Sequence, residues 1–368
     1  MNPAGAARFA VVGNPDNRRT AFLQAALRAA GLPAARVVPW LDVLAGTARF
    51  HPGETVRIDS PGEDPQVDRI MRGAAEPTRV EGGVRWYRAF RAAVERIAHD
   101  VRAAGGRLLA DPAELAVLFD KRLCHAALDR AGIPVPPSPT SGAAAPRLRG
   151  WPDLREILGR PGLRRVFAKP AHGSSASGVL AVETASGGRV RATTSVELTS
   201  SGALYNSLRL HRYEDEAAIA AIVDALAPDG LHVERWLPKA SQHGRSADLR
   251  VVVVAGRATH AVVRTAAGPL TNLHLGGSRG DLAAVQAAVA AAGGSWRQAL
   301  EVCERAAAVF PGTPCVGVDL LPAAGWRRFA VGEVNAFGDL LPGLAGLPGG
   351  PAEGTDTYGA QVAALPHP

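Results

Sequence analysis

Lysine is almost missing from this chain: Lys121, Lys169 and Lys239 stand against 38 arginines in 368 residues. A composition that has exchanged nearly every lysine for arginine keeps Lys where a compact ammonium serves better than a planar guanidinium. Cysteine is as scarce. Cys124, Cys303 and Cys315 form no CxxC pair and no metal-ligand spacing, which argues against a disulfide framework and a zinc module. No run of 18 apolar residues occurs, and residues 1–13 lack a basic segment followed by a signal-length apolar stretch. No membrane span is expected, and a cytoplasmic location is. The chain also lacks a Lys/Arg block and any basic stretch interleaved with aromatics. Its net charge of +7 follows from the arginine-rich composition, so nucleic acid is not an expected partner.

What remains is a globular composition. Apolar residues make up 47%. Glycine (41) and proline (28) together are about a fifth of the chain, below the roughly 25–30% of low-complexity sequences. At about 100–200 residues per domain, two or three domains are expected. The opening reads as strand 9–13, turn 14–16, helix 20–30 and strand 36–38, with 47–84 mostly loop. An amphipathic helix over 86–104 ends at Gly105-Gly106. Asp111-Pro112 caps and starts a helix, a second helix covers 121–130, and 138–149 reads as a flexible loop. Strands follow at 165–169 and 179–182, then a hairpin of 190–198 with 204–213. Helix 216–226 precedes strands 232–237, 249–255 and 258–265. Helices 282–292 and 296–310 lead to strands 315–321 and 329–334. A small α/β block followed by hairpins and helices makes the fold class α+β rather than one parallel sheet.

Three groups of residues carry chemistry. Lys169 ends a strand and leads through His172-Gly173-Ser174-Ser175-Ala176-Ser177-Gly178 to another. Glycines let backbone N–H groups approach phosphate oxygens, and serines add donors. The loop is neither a Walker A loop nor a GxGxxG turn, and an ordinary hairpin loop is the simpler alternative. In the second group, Asp319 interrupts an apolar strand, and Glu333 and Asn335, two apart, share a face of the next. Two carboxylates and an amide oxygen suit Mg²⁺, which takes one or two carboxylates plus substrate phosphates. An exposed hairpin face is the alternative. The third group is Asp248-Leu-Arg250, Arg264 and Asn272-Leu-His-Leu-Gly-Gly277. An arginine there can neutralise a transferring phosphoryl group, and an asparagine can hold a metal or phosphate oxygen.

In order, Asp120-Lys121, Ala131-Gly-Ile-Pro-Val-Pro136, Lys169-Pro with its Gly/Ser loop, Glu234-Arg235-Trp236-Leu237, Asp248-x-Arg250, Arg264, Asn272 to Gly277, Gly-Val-Asp319 and Glu333-Val-Asn335 resemble the ATP-grasp superfamily. Within it, residues 248–277 look most like the RimK-type carboxylate–amine ligases. The resemblance runs over about residues 108–343. It implies an α/β N-terminal domain (1–107) followed by an ATP-grasp fold, two antiparallel-sheet subdomains (108–233 and 234–368) clasping ATP. By the same resemblance Lys121 and Lys169 contact ATP phosphates, and Gly173, Ser174 and Ser175 cover the β- and γ-phosphates. Glu234, Arg235, Trp236 and Leu237 form the hinge that meets adenine through backbone, and Asp248 faces the ribose. Arg264 and Asn272, with Lys169, lie at the reacting phosphoryl group. Asp319, Glu333 and Asn335 hold Mg²⁺, with Mn²⁺ as an alternative.

The implied reaction joins a carboxylate to an amine through an acyl phosphate, giving ADP and phosphate. The expected partners are small-molecule or peptide carboxylates and amines, and a homodimer is left open. Two other readings stay open on the residues: a kinase acting on a small molecule, and a nucleotide-binding regulatory module without turnover. Departures from the family pattern are the long gap from Glu234 to Asp248, with 238–246 expected as an inserted loop, the added hairpin 190–213, and a stretched Asp319–Glu333 connection. Substrate candidates are the Arg57–Glu63 segment, the strand of Tyr205, Asn206 and Arg209, and Phe337-Gly-Asp339-Leu-Leu-Pro-Gly343.

Overall fold

The computed structural model describes residues 8–365 apart from 75, 77, 174, 175, 339 and 340. The chain runs β1 (Arg8–Gly13), α1 (Arg18–Ala29), β2 (Arg36–Pro39), α2 (Trp40–Ala45), β3 (Glu54–Ile58), α3 (Pro65–Arg72), α4 (Gly83–Ala103) and β4 (Arg107–Leu108). It continues with α5 (Pro112–Leu118), α6 (Lys121–Arg130), α7 (Trp151–Gly159), β5 (Arg165–Pro170), β6 (Leu180–Thr184), β7 (Val190–Leu198), β8 (Leu204–Tyr213), α8 (Glu216–Leu226) and β9 (Leu231–Arg235). The last part is β10 (Ser241–Gln242), β11 (Arg245–Val254), β12 (Arg257–Ala266), β13 (Ser278–Arg279), α9 (Leu282–Ala291), α10 (Trp296–Ala307), β14 (Cys315–Pro322), β15 (Phe329–Ala336) and α11 (Thr357–Ala363).

These elements form three sheets. The N-terminal sheet is parallel, in the order β2-β1-β3-β4. One face packs Val12, Val38 and Val56 on Phe90, Val94 and Ile97 of α4. The other packs Val11 on Leu23 and Leu27 of α1 and on Tyr358 and Val362 of α11. The central sheet is antiparallel, β8-β7-β6-β5-β9, and is covered by α7 and α8 through Leu154, Leu158, Ile219 and Ile222. The C-terminal sheet, β13-β12-β11-β14-β15 with β10 on β11, is antiparallel as well. Its apolar face buries Leu249, Val251, Val263, Val318 and Val334 beneath α6, α9 and α10. The architecture is therefore mixed α and β with two antiparallel layers, as expected.

Polar contacts tie the N-terminal part to the central sheet. Asp229 accepts from the first amides of α4, Gly82 N at 2.5 Å, Gly83 N at 3.1 Å and Val84 N at 3.2 Å. A carboxylate there meets both orphan N–H groups and the positive end of the helix dipole. Beside it, Asn206 N donates to Thr78 O and Val80 N to Leu204 O, which lays residues 78–80 along β8.

Several sequence expectations need correction. The stretch 47–84 is not mostly loop, because it holds β3, an inner strand of the N-terminal sheet, and α3. Charge hid β3: Glu54 is buried yet ion-paired to Arg36 at 2.7 Å. The α3 start is an Asp64 cap on Gln66 N and Val67 N with Pro65 in the first turn. The segment 138–149 is irregular but tied down, since the buried Arg122 guanidinium donates to Thr140 O, Gly142 O and Ala145 O. Residues 238–246 fold into a β10–β11 hairpin, not a plain loop. β9 stops at Arg235, two residues short of the expected strand, as the chain turns toward Pro238.

Candidate active site

Strand alternation builds the site. In β11, Leu249 and Val251 face α10, so Asp248 and Arg250 project from the opposite face. Cross-strand register sets Asp248 beside Arg264 of β12 and Arg250 beside Asp319 of β14. Asp319 in turn faces Glu333 of β15, and Gly317 faces Asn335. The result is a row of charges across four strands. Arg250 Nε lies 2.5 Å from Asp319 Oδ1, and Arg264 bridges Asp248 Oδ1 (2.8 Å) and Asp319 Oδ1 (3.1 Å). Gly317 makes room for this, because a Cβ there would meet Arg250 Cδ at 3.2 Å and Gly338 O at 3.3 Å.

Asp248 is buried and fully engaged. Its second oxygen accepts from Lys239 Nζ at 3.2 Å and from the Thr271 hydroxyl, and Lys239 also donates to Thr271 at 2.9 Å. Burial alone would raise the Asp248 pKa. The charges of Arg264 and Lys239 outweigh it and hold the carboxyl below the usual range. Around Asp319 burial is likewise outweighed, here by Arg250 and Arg264.

The other two lysines reach the same region. Lys121 is the first residue of α6, whose start is fixed by the Asp120 side chain on Arg122 N and Leu123 N. Its ammonium donates to Glu333 Oε1 at 2.8 Å and to Gly173 O at 2.6 Å. Lys169, on β5, lies 2.5 Å from Glu234 Oε1 of β9. Burial would raise the Glu234 pKa, but the Lys169 charge and the His232 hydrogen bond bring it to about 2. A small cavity is lined by Lys121, Lys169, His125, His232 and Glu333 over an apolar floor that includes Leu118 and Leu128.

Of the Gly/Ser loop, Ser174 and Ser175 lie outside the described residues, as do Asp339 and Leu340 among the substrate candidates. The described part is held at both ends. His172 stacks on Tyr87 with ring centroids 4.0 Å apart. Gly178 has φ 73° and no room for a side chain, since a Cβ would meet Pro170 and Val80 at 2.6 and 2.7 Å. Val179 packs against Leu270 and Leu275, so the central sheet and the 267–277 segment meet here.

Other expected residues take different places. The Asn272 side-chain oxygen accepts from His274 N at 2.9 Å and caps a short turn, while its neighbour Thr271 reaches Asp248. The amides of Arg235 and Trp236 donate to Pro137 O and Arg165 O, and the Arg165 guanidinium lies 4.0 Å from the centre of the Trp236 ring. Leu237 follows, half-buried. Arg57 is not an open recognition group, for it lies 3.5 Å from buried Asp59 beneath Tyr358. Tyr205 donates to Glu76 at 2.7 Å. Sequence reasoning missed Lys239 and Thr271 as site residues. For Lys239 the signal was its own rarity. Thr271 gave none.

Among the described residues no group of three or more His, Cys, Asp and Glu side chains could hold a metal ion. The donor set Asp319, Glu333 and Asn335 is of another kind, two carboxylates and an amide on adjacent strands. Hard oxygen donors of that number fit Mg²⁺ completed by substrate phosphates. Asp319 is held at Oδ1 by Arg250 and Arg264 and at Oδ2 by Arg250 at 3.4 Å, and Lys121 holds one oxygen of Glu333, so cations orient both carboxylates.

No protein-family model matches the chain, and no curated protein matches it. Solved structures do. The D-cycloserine synthetase DcsG aligns at TM-score 0.54 with 19% identity over 89% of this chain and 91% of that one. The ATP-grasp ligase PsnB, complexed with a phosphomimetic variant of its minimal precursor, Mg and ADP, aligns at 0.52 with 18% identity over 97% of both chains. The N5-carboxyaminoimidazole synthase of Aspergillus clavatus, in complex with ADP and its ribonucleotide, aligns at 0.50 with 12% identity over 90% of this chain and 70% of that one. At such identities the likeness is one of fold.

Proposed function

Because the chain has the ATP-grasp fold, we propose that it is an ATP-dependent ligase that joins a carboxylate to an amine and releases ADP and phosphate. The observation that carries the reading is the convergence of all three lysines, Arg264 and the Asp319/Glu333/Asn335 row on one region. Such a set neutralises a transferring phosphoryl group without supplying a nucleophile. Burial pushes the thiols of Cys124 and Cys315 up to about 12, away from nucleophilic use.

In this reading Lys121 and Lys169 bind the nucleotide phosphates beside Gly173, and the 234–237 segment adjoins the base. Asp319, Glu333 and Asn335 hold Mg²⁺, or Mn²⁺ in its place, which when bound neutralises phosphate oxygens. A substrate carboxylate oxygen attacks the γ-phosphorus, the bond to the β-phosphate oxygen breaks, and ADP leaves. The amine nitrogen then attacks the acyl carbon, inorganic phosphate leaves, and the amine loses a proton. Arg264 steadies the charge on the phosphoryl oxygens. Asp248, with both oxygens taken by Arg264, Lys239 and Thr271, acts by holding Arg264 rather than by reading the ribose.

The test is ADP formation by the full chain with MgATP against pools of carboxylates, each with and without amines, with Lys169→Ala alongside. The reading predicts ADP that requires a carboxylate and is lost in the variant. A phosphorylated product that accumulates with no need for amine would favour a kinase. No ADP from any pool, in protein that binds MgATP, would leave a binding module and overturn the ligase.

A further inference from the structure

Lys169 and His232 are direct cross-strand partners on β5 and β9, and Glu234 lies two residues along on the same face. His232 is 2% exposed and Glu234 3%. Glu234 uses its two oxygens differently: Oε1 is 2.5 Å from Lys169 Nζ, and Oε2 is 3.4 Å from His232 Nε2. On the far side of the ring, His232 Nδ1 is 3.4 Å from Thr140 Oγ1, whose position is fixed because it accepts from Val233 N at 2.7 Å. A four-member chain therefore runs from backbone to ammonium: Thr140, His232, Glu234, Lys169.

We propose that His232 is a positioning residue for nucleotide phosphate binding, acting through Glu234 to fix the Lys169 ammonium. The inference rests on the nucleotide reading above. Lysine ends a flexible four-carbon stem, and a single carboxylate contact leaves both side chains free to turn together. A donor on the second oxygen stops the carboxylate from turning. The chemistry also fixes the tautomer. A carboxylate only accepts, so Nε2 carries the proton and Nδ1 is left bare toward the Thr140 hydroxyl, which lies 3.4 Å from both Nδ1 and Val233 O. Burial supports this by holding the imidazole neutral against the pull of Glu234. The second oxygen of a buried carboxylate without a donor carries a desolvation cost, so the network has a reason to persist in the absence of ligand.

The experiment compares His232→Gln and His232→Asn in the full chain. Glutamine carries its amide to about the place of Nε2, and asparagine stops near Nδ1. MgADP and adenosine affinities are measured by calorimetry, with thermal unfolding as the control for folding. The expected result is MgADP binding close to wild type in H232Q and at least about ten-fold weaker in H232N, with adenosine affinity unchanged in both. Equal loss of both ligands, or MgADP binding by H232N as tight as wild type, would overturn the proposal. If wild type binds no MgADP, the nucleotide reading itself falls and takes the inference with it. Should H232N fail to fold, nitrogen-15 NMR of the wild-type ring decides: an Nε2–H tautomer agrees, and an Nδ1–H tautomer overturns.

Discussion

Lys121 and Glu333 meet at 2.8 Å, and the same ammonium donates to Gly173 O at 2.6 Å. One side chain thus joins the last strand of the C-terminal sheet to the loop that leaves β5 of the central sheet. On the proposed nucleotide reading, a lysine between these two layers is placed to exchange a protein carboxylate for a phosphate oxygen, since both offer the ammonium a charged acceptor.

The first prediction concerns Asp319. Clustered acidic residues in a binding site usually repel, and removing one tends to stabilise the empty protein. Here Asp319 sits between Arg250 and Arg264, so Asp319→Ala removes a carboxylate that two partly buried guanidinium groups share, while Arg264 keeps Asp248. Chemical denaturation without ligand should show a loss of about 3 kcal/mol. A gain in stability would refute the ion-paired description.

Lys239 supplies the second. It is one of three donors on buried Asp248. Lys239→Met should destabilise by about 2 kcal/mol, and Lys239→Arg should not restore the loss, because a planar fork does not replace a point charge shared between Asp248 and Thr271. Urea midpoints of the three proteins check this, and full recovery by arginine would contradict it.

A third prediction follows from the Glu234 carboxyl, held at about 2 against an ordinary 4.5. A carboxylate depressed in the folded state contributes stability that is fully present above its unfolded pKa and lost as pH falls through its folded one. Stability should therefore drop between about pH 4.5 and 2, and Glu234→Gln should flatten that part of the profile. An unchanged slope in the variant would show that Lys169 does not hold Glu234 ionised.

Much of the site was legible from residue type and strand periodicity. Asp319, Glu333 and Asn335 could be placed on one face because charges interrupt apolar strands with period two, and the structure brings them into register. Arg264 was visible as an arginine at the end of a strand and Asp248 through the family resemblance, but their direct pairing was not, since register depends on the turn between strands. Thr271 and Lys239 reach Asp248 from separate connections, and no local pattern announces a convergence of that kind. Asn272 was read as a phosphoryl contact because asparagine suits one. It also suits capping, and its side-chain oxygen caps the turn at His274. In the fold, β3 was missed because the charged Glu54 masked its alternation. The start of α7 carries no local cap: its Trp151 amide is taken by Asp224, 73 residues away.

The central claim is transfer of phosphate to a substrate carboxylate. Its most direct test is oxygen-18 tracing, in which protein, MgATP and amines are given carboxylates labelled in both oxygens. The account predicts ADP together with inorganic phosphate that carries one labelled oxygen, since the acyl phosphate hands that atom over when the amine displaces it. AMP with pyrophosphate, or released phosphate free of label while an amide forms, would contradict it.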